Sequence, residues 1–320
     1  MKYLLAPLAG FTDAPFRRMC AEGGADLAYT EMVSAAGLAH GSSPTRHLLE
    51  TMPGEGPVGV QLFGARETDL SLATDFVTRT AGANVVEINL NAGCPMTKVT
   101  REGAGARLIE RPERIHALLK AMTEATDLPV TLKTRLGPHP GDTNIFEIAD
   151  AAEKAGAKGL VVHARYTSQM HGGEVHLQTL AEVVRRVRVP VVGNGSVVDA
   201  KTAAAMAETG VAGVMIGRAA LSQPDIFNAL KGLAPPRPRL SHLGRHLGYL
   251  LAFRDQLQAH FPNDHVPSAD GFASVKMHVH LFRYFSGLPG AAAIRARLNS
   301  VRTLGEIRQL VLAVDSGEMV

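Results

Sequence analysis

Residues 159–194 read GLVVHARYTSQMHGGEVHLQTLAEVVRRVRVPVVGN, and this stretch decides the fold. Two short apolar runs, at 159–164 and 190–194, flank a segment at 177–187 whose apolar residues recur with the helical period of about 3.6. An apolar run without alternation is typical of a parallel strand, because helices cover both faces of a parallel sheet. The stretch therefore predicts one strand–helix–strand unit of an α/β protein.

The same unit repeats towards both ends of the chain. Helical periodicity recurs at 114–126 and 144–156, and each of these segments again lies between two apolar runs. Eight strand–helix units before residue 234 predict a (β/α)8 TIM barrel, with a doubly wound parallel sheet as the weaker alternative. The apolar runs lie at residues 3–9, 26–32, 58–63, 85–90, 129–134, 159–164, 190–194 and 213–217.

A proline-rich segment separates the barrel from a helical tail. LAPPRPRL (233–240) has three prolines within four positions and cannot continue a helix, which indicates a linker. We therefore predict two domains, a barrel over residues 1–234 and a small C-terminal all-α helical bundle over 235–320. The helical patterns of the tail lie at residues 243–261, 272–288, 291–298 and 303–314.

Composition is that of an ordinary globular protein, with 46% hydrophobic and 20% charged residues. The N-terminal apolar stretch is interrupted by Pro7 and Gly10, so it predicts neither a signal peptide nor a membrane span. We expect a cytoplasmic protein that is a monomer.

The sequence predicts no metal site. Cys20 and Cys94 are the only cysteines, so the chain has no disulfide framework and no CxxC pair. His278 and His280 lie two apart on a predicted helix and point in different directions, so we do not expect them to share an ion.

Positive charge is concentrated in the tail. Residues 235–320 hold ten Arg and Lys against six Asp and Glu, while the whole chain has a net charge of only +3. A basic appendage on a nearly neutral body favours a polyanionic partner, with a solvated helical face as the alternative.

Polar and glycine residues follow nearly every predicted strand, at the end where barrel enzymes place their active sites. Gly193, Gly195 and Gly217 follow the last two strands, where backbone amides can approach an anion and Arg218 can close the site; tight turns are the alternative. The other candidates at this rim are Pro7, Leu8, Ala9, Gln61, Asn91, His163, Arg165 and Asn194.

Two further residues at the rim indicate chemistry. Lys133 ends an apolar strand, where its ammonium needs a negative partner; this is either a bound anion or Glu87. Cys94 lies in a glycine-containing loop, and a thiol without a neighbouring base stays mostly protonated at neutral pH, which suits a proton donor. Cys20 lies in a helical segment and is expected to be a buried apolar side chain.

These residues resemble the tRNA-dihydrouridine synthase family. The resemblance covers the barrel from residue 4 to about 230 in the order of the family's motifs, and GLPGAAAIRARLN (287–299) resembles its C-terminal domain. The LNAGCP segment with a glycine at position 105 is its most specific part. The motifs are APLAGFTD (6–13), QLFG (61–64), EINLNAGCPMTKVTREGAGARL (87–108), LKTRLG (132–137), VHAR (162–165), GNGSV (193–197) and IGRAAL (216–221).

The resemblance implies an FMN-dependent reductase that uses NADPH and saturates the C5=C6 bond of a uracil flipped out of tRNA. Cys94 would give the proton to C5, while Asn91 and Arg165 would face the uracil. FMN would lie at Pro7, Leu8, Ala9, Gln61, Lys133, His163, Asn194, Gly195, Ser196, Gly217 and Arg218. The tail would hold tRNA through Lys276, His278, Arg283, Arg295 and Arg297.

Ser196 departs from the acid that many family members have after Asn-Gly, although its hydroxyl can still hydrogen-bond ribityl or phosphate oxygens. Two rival functions stay open: an FMN barrel that reduces a small pyrimidine, and a non-catalytic RNA-binding protein. The basic tail argues against the first, and bound flavin would argue against the second.

Overall fold

A closed barrel of parallel strands forms the body of the protein, as the sequence predicts. The computed structural model describes residues 1–287 and 298–316. Each strand pairs in parallel with its neighbours, and the pairing of β1 with β9 closes the barrel. The strands are β1 (Lys2–Leu5), β2 (Leu27–Tyr29), β3 (Val33–Ser34), β4 (Val58–Phe63), β5 (Val85–Ala92), β6 (Val130–Arg135), β7 (Leu160–His163), β8 (Val191–Asn194) and β9 (Gly213–Ile216).

Nine strand segments make eight barrel positions. The short β3 pairs with the far end of β4, whose near end pairs with β2, so β2 and β3 together occupy the second position. The register then aligns Asn91 with Lys133, Arg135 with His163, and His163 with Asn194. Side chains from β5 to β8 therefore meet at one level of the rim.

Helices cover the barrel and continue into the tail. They are α1 (Ala14–Glu22), α2 (Ala35–Ala39), α3 (Ser43–Arg46), α4 (Glu67–Thr80), α5 (Thr97–Thr100), α6 (Pro112–Thr123), α7 (Ile145–Lys154), α8 (Leu177–Arg186), α9 (Ala200–Ala207), α10 (Arg218–Ser222), α11 (Ile226–Leu230), α12 (Leu243–His260), α13 (Ala269–Tyr284) and α14 (Leu304–Asp315). The patterns at 243–261 and 303–314 match α12 and α14 closely. Helix α13 begins three residues before its pattern because Ser268 caps it by accepting from the Gly271 amide. The pattern at 291–298 lies almost wholly outside the described residues.

Two apolar cores hold the chain together. The barrel core includes Ile88, Leu90 and Leu132, none of which is exposed, and each such side chain contributes about 1.5–3 kcal/mol through burial. The second core joins α12, α13 and α14, and it includes Ala14 and Met52 from the barrel. The tail therefore packs directly onto helix α1.

Buried polar side chains cross this contact. Asp13 begins α1 and accepts from the Phe16 amide, and its other carboxylate oxygen lies 3.6 Å from the ammonium of Lys276 on α13. Lys276 also lies 3.5 Å from a carboxylate oxygen of Glu31. Burial alone would lower the pKa of Lys276, but the two carboxylates raise it above its usual value. The position of the tail is thus fixed by charge as well as by apolar contact.

Among the residues that the structure describes, no helix combines the length and the apolar character needed to cross a membrane.

Candidate active site

A cleft at the carboxyl ends of the strands brings together most of the predicted cofactor residues. All of them except Ala9 and Gln61 line it, and Arg165, predicted to face the substrate, lies among them. Ala9 is on the exposed turn after β1, and Gln61 is completely buried inside the barrel. The predicted residues in the cleft wall are Pro7, Leu8, Lys133, His163, Arg165, Asn194, Gly195, Ser196, Gly217 and Arg218.

The cleft is strongly cationic. Lys133, Arg165 and Arg218 line it, and within the described ranges no Asp or Glu belongs to its wall. Burial and the neighbouring Arg135 lower the pKa of Lys133 to about 7. Its ammonium donates to Asn194 Oδ1 at 3.3 Å, whereas Glu87 accepts from Tyr29 and Thr131 at another level of the barrel. The pairing of Lys133 with Glu87, one of the two sequence alternatives, does not form.

The turn after β8 carries two residues with left-handed backbone. Gly195 has φ +127°, and a Cβ there would lie 2.9 Å from Val175 Cγ1 and 3.0 Å from His163 Cδ2. Only glycine fits this approach. Ser196 follows with φ +54°, and its hydroxyl accepts from Arg165. Other residues of the cleft wall therefore hold this turn in place. This favours a role in ligand binding over the alternative of a simple tight turn.

His163 is neutral and its tautomer is fixed by its neighbours. Burial, followed by the charges of Lys133 and Arg135, holds the pKa of His163 far below its usual value. Arg165 can only donate, and its Nη1 lies 3.3 Å from His163 Nε2, so Nε2 accepts and the ring proton lies on Nδ1. His163 therefore presents a donor at Nδ1.

His171 is a cleft residue that the sequence analysis missed. Its ring stacks on His163 with centroids 6.2 Å apart and an interplanar angle of 25°. The same residue accepts from Arg218 Nη2 through its carbonyl oxygen at 3.2 Å. It lies in the β7–α8 loop (residues 164–176), which has no periodicity, so no sequence signal distinguished it.

Cys94 is half-buried in the loop after β5, and its backbone is fixed on both sides. Its amide donates to Asn91 Oδ1 at 3.0 Å, and its carbonyl oxygen accepts from the Ala106 amide at 2.9 Å. Gly105 has φ +59°, and a Cβ there would lie 2.6 Å from the Cys94 carbonyl oxygen. The glycine at position 105 is therefore required by close approach to the cysteine. Cys20 is completely buried, as predicted.

Asn91 belongs to a chain of side-chain hydrogen bonds inside the barrel. Its Nδ2 donates to Gln61 Oε1 at 2.7 Å, Gln61 Nε2 donates to Asn89 Oδ1 at 2.7 Å, and Asn89 Nδ2 donates to Thr131 at 2.9 Å. Both ends of the Asn91 amide are thus occupied by the protein. Buried networks in which every member is satisfied make a site rigid.

Arg135, also missed as a site residue, reaches from β6 to two loops. Its Nε donates to the Gly93 carbonyl oxygen at 2.8 Å and its Nη1 to that of Met170 at 2.7 Å. The side chain thus connects the thiol loop (residues 93–96) to the β7–α8 loop.

The predicted tail residues lie in different surroundings. Lys276 is held between Asp13 and Glu31, and His278 is half-buried with its ring 5.0 Å from that of Phe282. Arg283 is exposed, and its guanidinium lies 5.5 Å from the centroid of Phe11. Arg295 and Arg297 lie outside the described residues.

A closed parallel barrel whose strand ends surround a cationic cleft defines the class of this protein: it is a TIM barrel whose cleft lies where barrel enzymes place their active sites. Solved structures agree on the fold. Morphinone reductase superposes with a TM-score of 0.52 at 14% identity over 74% of this chain and 87% of its own. The structure of TcOYE with pHBA gives a TM-score of 0.53 at 12% identity over 75% of this chain and 91% of its own.

Sequence comparison then gives the family. The profile described as dihydrouridine synthase (Dus) matches residues 4–316, and the chain belongs to this family. It is 32% identical to a probable tRNA-dihydrouridine synthase 1 of Synechocystis over 97% of this chain and 85% of the relative. It is 34% identical to tRNA-dihydrouridine synthase B of Escherichia coli K12 over 82% and 88%, and 41% identical to a probable tRNA-dihydrouridine synthase of Rhodobacter capsulatus over 73% of each chain.

Proposed function

We propose that this protein reduces the C5=C6 bond of a uracil in tRNA to give dihydrouridine, with FMN as its cofactor and NADPH as the reductant. The observation that carries the proposal is the half-buried Cys94, which Asn91 and Ala106 fix and which interacts electrostatically with Lys133 of the cleft wall. Family membership supports the reaction and the flavin. The sequence alone is the basis for three further proposals: NADPH as the reductant, a cytoplasmic location and a monomeric state.

The residues of the cleft fit FMN. A cleft with cations but no carboxylate in its described wall suits a phosphate and a flavin edge that becomes negative on reduction. Gly195, Ser196, Gly217 and Arg218 would hold the phosphate, and Lys133 and the Nδ1 proton of His163 would hold the ring edge. Pro7, Leu8 and Asn194 would complete the site, whereas Ala9 and Gln61, predicted from the sequence to take part, lie outside the cleft wall. When bound, FMN supplies hydride to C6 of the uracil.

Cys94 is the proposed acid of the reaction. Its S–H bond breaks, a C–H bond forms at C5 of the uracil, and the electron pair remains on sulfur as a thiolate. Lys133 and Arg135 each interact electrostatically with Cys94. Their positive charge lowers the free energy of that thiolate and so favours proton release.

The thiol loop is short and its backbone is held, so the substrate must come to Cys94. A uracil stacked inside folded RNA cannot reach it and has to be extruded into the cleft. We propose that residues 1–234 form the catalytic domain and that residues 235–320 hold the tRNA, with Arg283 beside Phe11 as an exposed contact. Asn91 and Arg165 remain the candidates for contact with the uracil, although both already bond within the protein.

Dihydrouridine formation tests the proposal. Purified protein is incubated with FMN, NADPH and unmodified tRNA, and dihydrouridine is quantified by mass spectrometry for wild type, Cys94→Ala and Cys20→Ala. We expect product from wild type and from Cys20→Ala, because Cys20 lies in the core, and far less from Cys94→Ala. If the wild type forms no dihydrouridine but oxidises NADPH in the presence of a free pyrimidine, the substrate is a small pyrimidine and not tRNA.

A further inference from the structure

Arg135 holds two loops together across the barrel rim. Besides Gly93 and Met170, its Nη1 donates to the carbonyl oxygen of Tyr166 at 3.2 Å. Strand β6 pairs with both β5 and β7, and these two strands lead into the thiol loop and the β7–α8 loop. One side chain, only 2% exposed, therefore sets the spacing of the two loops.

The positive charge of Arg135 has no carboxylate partner in the described part of the chain, where its hydrogen bonds go to three main-chain carbonyl oxygens. Burial lowers the pKa of Arg135 to about 10, whereas Cys94 raises it and so favours the charged guanidinium. The guanidinium is still charged at neutral pH. Its effect on Cys94 is reciprocal, because a cation that is favoured by a thiolate also favours that thiolate.

The β7–α8 loop needs this tether. Met170 has φ +52°, and among the described residues it shares a left-handed backbone only with Ser196 and glycines. Such a conformation is unfavourable for a side chain with a Cβ and persists only where the surroundings impose it. The Met170 carbonyl oxygen is the one that Arg135 holds at 2.7 Å, next to His171 in the cleft wall.

We propose that Arg135 is a positioning residue for the protonation of uracil at C5: it fixes the thiol loop against the β7–α8 loop and keeps an uncompensated positive charge beside Cys94. The inference rests on the function proposed above, in which the Cys94 thiol loses its proton. The effect of the charge and the effect of the hydrogen bonds can then be separated, because a lysine retains the charge but cannot make all three carbonyl bonds in the same geometry.

The test compares FMN-loaded wild type with Arg135→Gln and Arg135→Lys. Hydrogen exchange is measured by mass spectrometry on peptides that cover residues 93–96 and 166–171. The rate of Cys94 alkylation by iodoacetamide is measured at neutral pH, and neither measurement requires tRNA. Arg114→Gln is the matched control, because Arg114 ties the Ala65 carbonyl oxygen of another loop at 2.8 Å and does not line the cleft.

Arg135→Gln is expected to speed exchange in both loops by at least about tenfold, the factor that corresponds to the loss of one bond of about 1.4 kcal/mol. The thiol loop loses one such bond and the β7–α8 loop loses two. Alkylation of Cys94 should become slower because its thiolate loses a neighbouring positive charge, and kcat should fall about 100-fold at unchanged KM for tRNA. Arg135→Lys should restore the rate of alkylation but not the slow exchange. Arg114→Gln should match wild type in both measurements.

Two results would overturn the inference. Wild-type exchange in both loops of Arg135→Gln would exclude the tether, and a raised KM with unchanged kcat would make Arg135 a substrate contact instead. Failure of the proposed function is distinguishable, because a wild-type protein that forms no dihydrouridine still reports on the loops and on Cys94 through exchange and alkylation.

Discussion

His246 Nδ1 lies 3.0 Å from the hydroxyl of Tyr284, in a buried cluster that joins helices α12 and α13 to the start of α1. One polar atom each of Asp13, His246 and His280 lies within 4.8 Å of the others, and all three residues are buried. Two imidazoles kept neutral at this contact make the attachment of the tail sensitive to acid.

Folding stability should therefore fall below about pH 6.5. Burial lowers the pKa of His246 to about 4 and places that of His280 well below its usual value. In the unfolded chain these histidines bind protons that they do not bind in the folded chain. Their contribution to the free energy of unfolding is therefore complete above the unfolded pKa of about 6.5 and is lost as the pH falls towards 4. For His246 alone we expect a loss of about 1.4 kcal/mol at about pH 5.5, measured by urea unfolding.

His246→Gln should flatten this pH dependence, whereas His278→Gln, a half-buried residue on the same helix as His280, should leave it unchanged. A wild-type free energy of unfolding that stays constant between neutral pH and about pH 5.5 would contradict the prediction.

FMN affinity should decrease as pH rises above neutral. Without a bound anion Lys133 has a pKa of about 7 and loses its proton above that pH. The ammonium is a stronger hydrogen-bond donor to the flavin edge than the neutral amine is, so the Kd should rise by at most about tenfold per pH unit until the pH reaches the higher pKa that Lys133 has in the complex. Flavin fluorescence titration measures this directly.

Lys133→Gln should weaken binding at neutral pH and abolish the pH dependence. Lys158→Gln removes an exposed lysine at the opposite end of the barrel and is expected to behave as wild type. Affinity that does not vary with pH in wild type would show that Lys133 is not coupled to the cofactor.

Gly105→Ala should impair catalysis more than it impairs folding. The added Cβ would lie 2.6 Å from the Cys94 carbonyl oxygen, so the thiol loop must move. A displacement of about 1 Å at a reacting group can reduce kcat by about 100-fold. The measurement is kcat for dihydrouridine formation beside the thermal unfolding midpoint.

Gly103→Ala is the matched control for this change. Its φ of +77° is similarly unfavourable for alanine, but its Cβ would meet only Ala65 Cβ, at 3.5 Å. We expect both variants to lose about 1 kcal/mol of stability from the left-handed backbone, and Gly105→Ala to lose somewhat more because of the close approach. Only Gly105→Ala should lose activity. Equal activities of the two variants would contradict the claim that close approach to Cys94 requires a glycine at position 105.

Lys276→Met should destabilise the protein, because it leaves the buried carboxylates of Asp13 and Glu31 without their cation. Breaking a fully buried ion pair from one side costs about 3–5 kcal/mol, and the loss here should be smaller because the side chain of Lys276 is 28% exposed. Arg283→Gln removes an exposed charge and should instead raise the KM for tRNA and reduce the salt dependence of binding. A Lys276→Met protein with normal stability but weak tRNA binding would return Lys276 to the RNA contacts predicted from sequence.

The sequence by itself determined the barrel and most of the cleft. The apolar runs at 159–164 and 190–194 predicted parallel strands, because a strand that helices cover on both faces is apolar along its whole length. Parallel strands place their carboxyl ends at one rim, so Lys133, His163, Asn194 and Arg218 could be expected together before any distance was known. Cys94 stood out because its loop contains glycines and little that is apolar.

Only the tertiary structure decided which partners these residues have. The bonds of Arg135 to Gly93 and Met170 join positions far apart in sequence, and no local pattern records where a guanidinium at the end of a flexible chain of methylene groups will lie. The burial of Lys276 between Asp13 and Glu31 is equally invisible in a helical pattern, because it depends on how α13 packs against α1. Periodicity reports which face of an element is apolar, whereas hydrogen bonds and ion pairs depend on distances that exist only once the elements have packed.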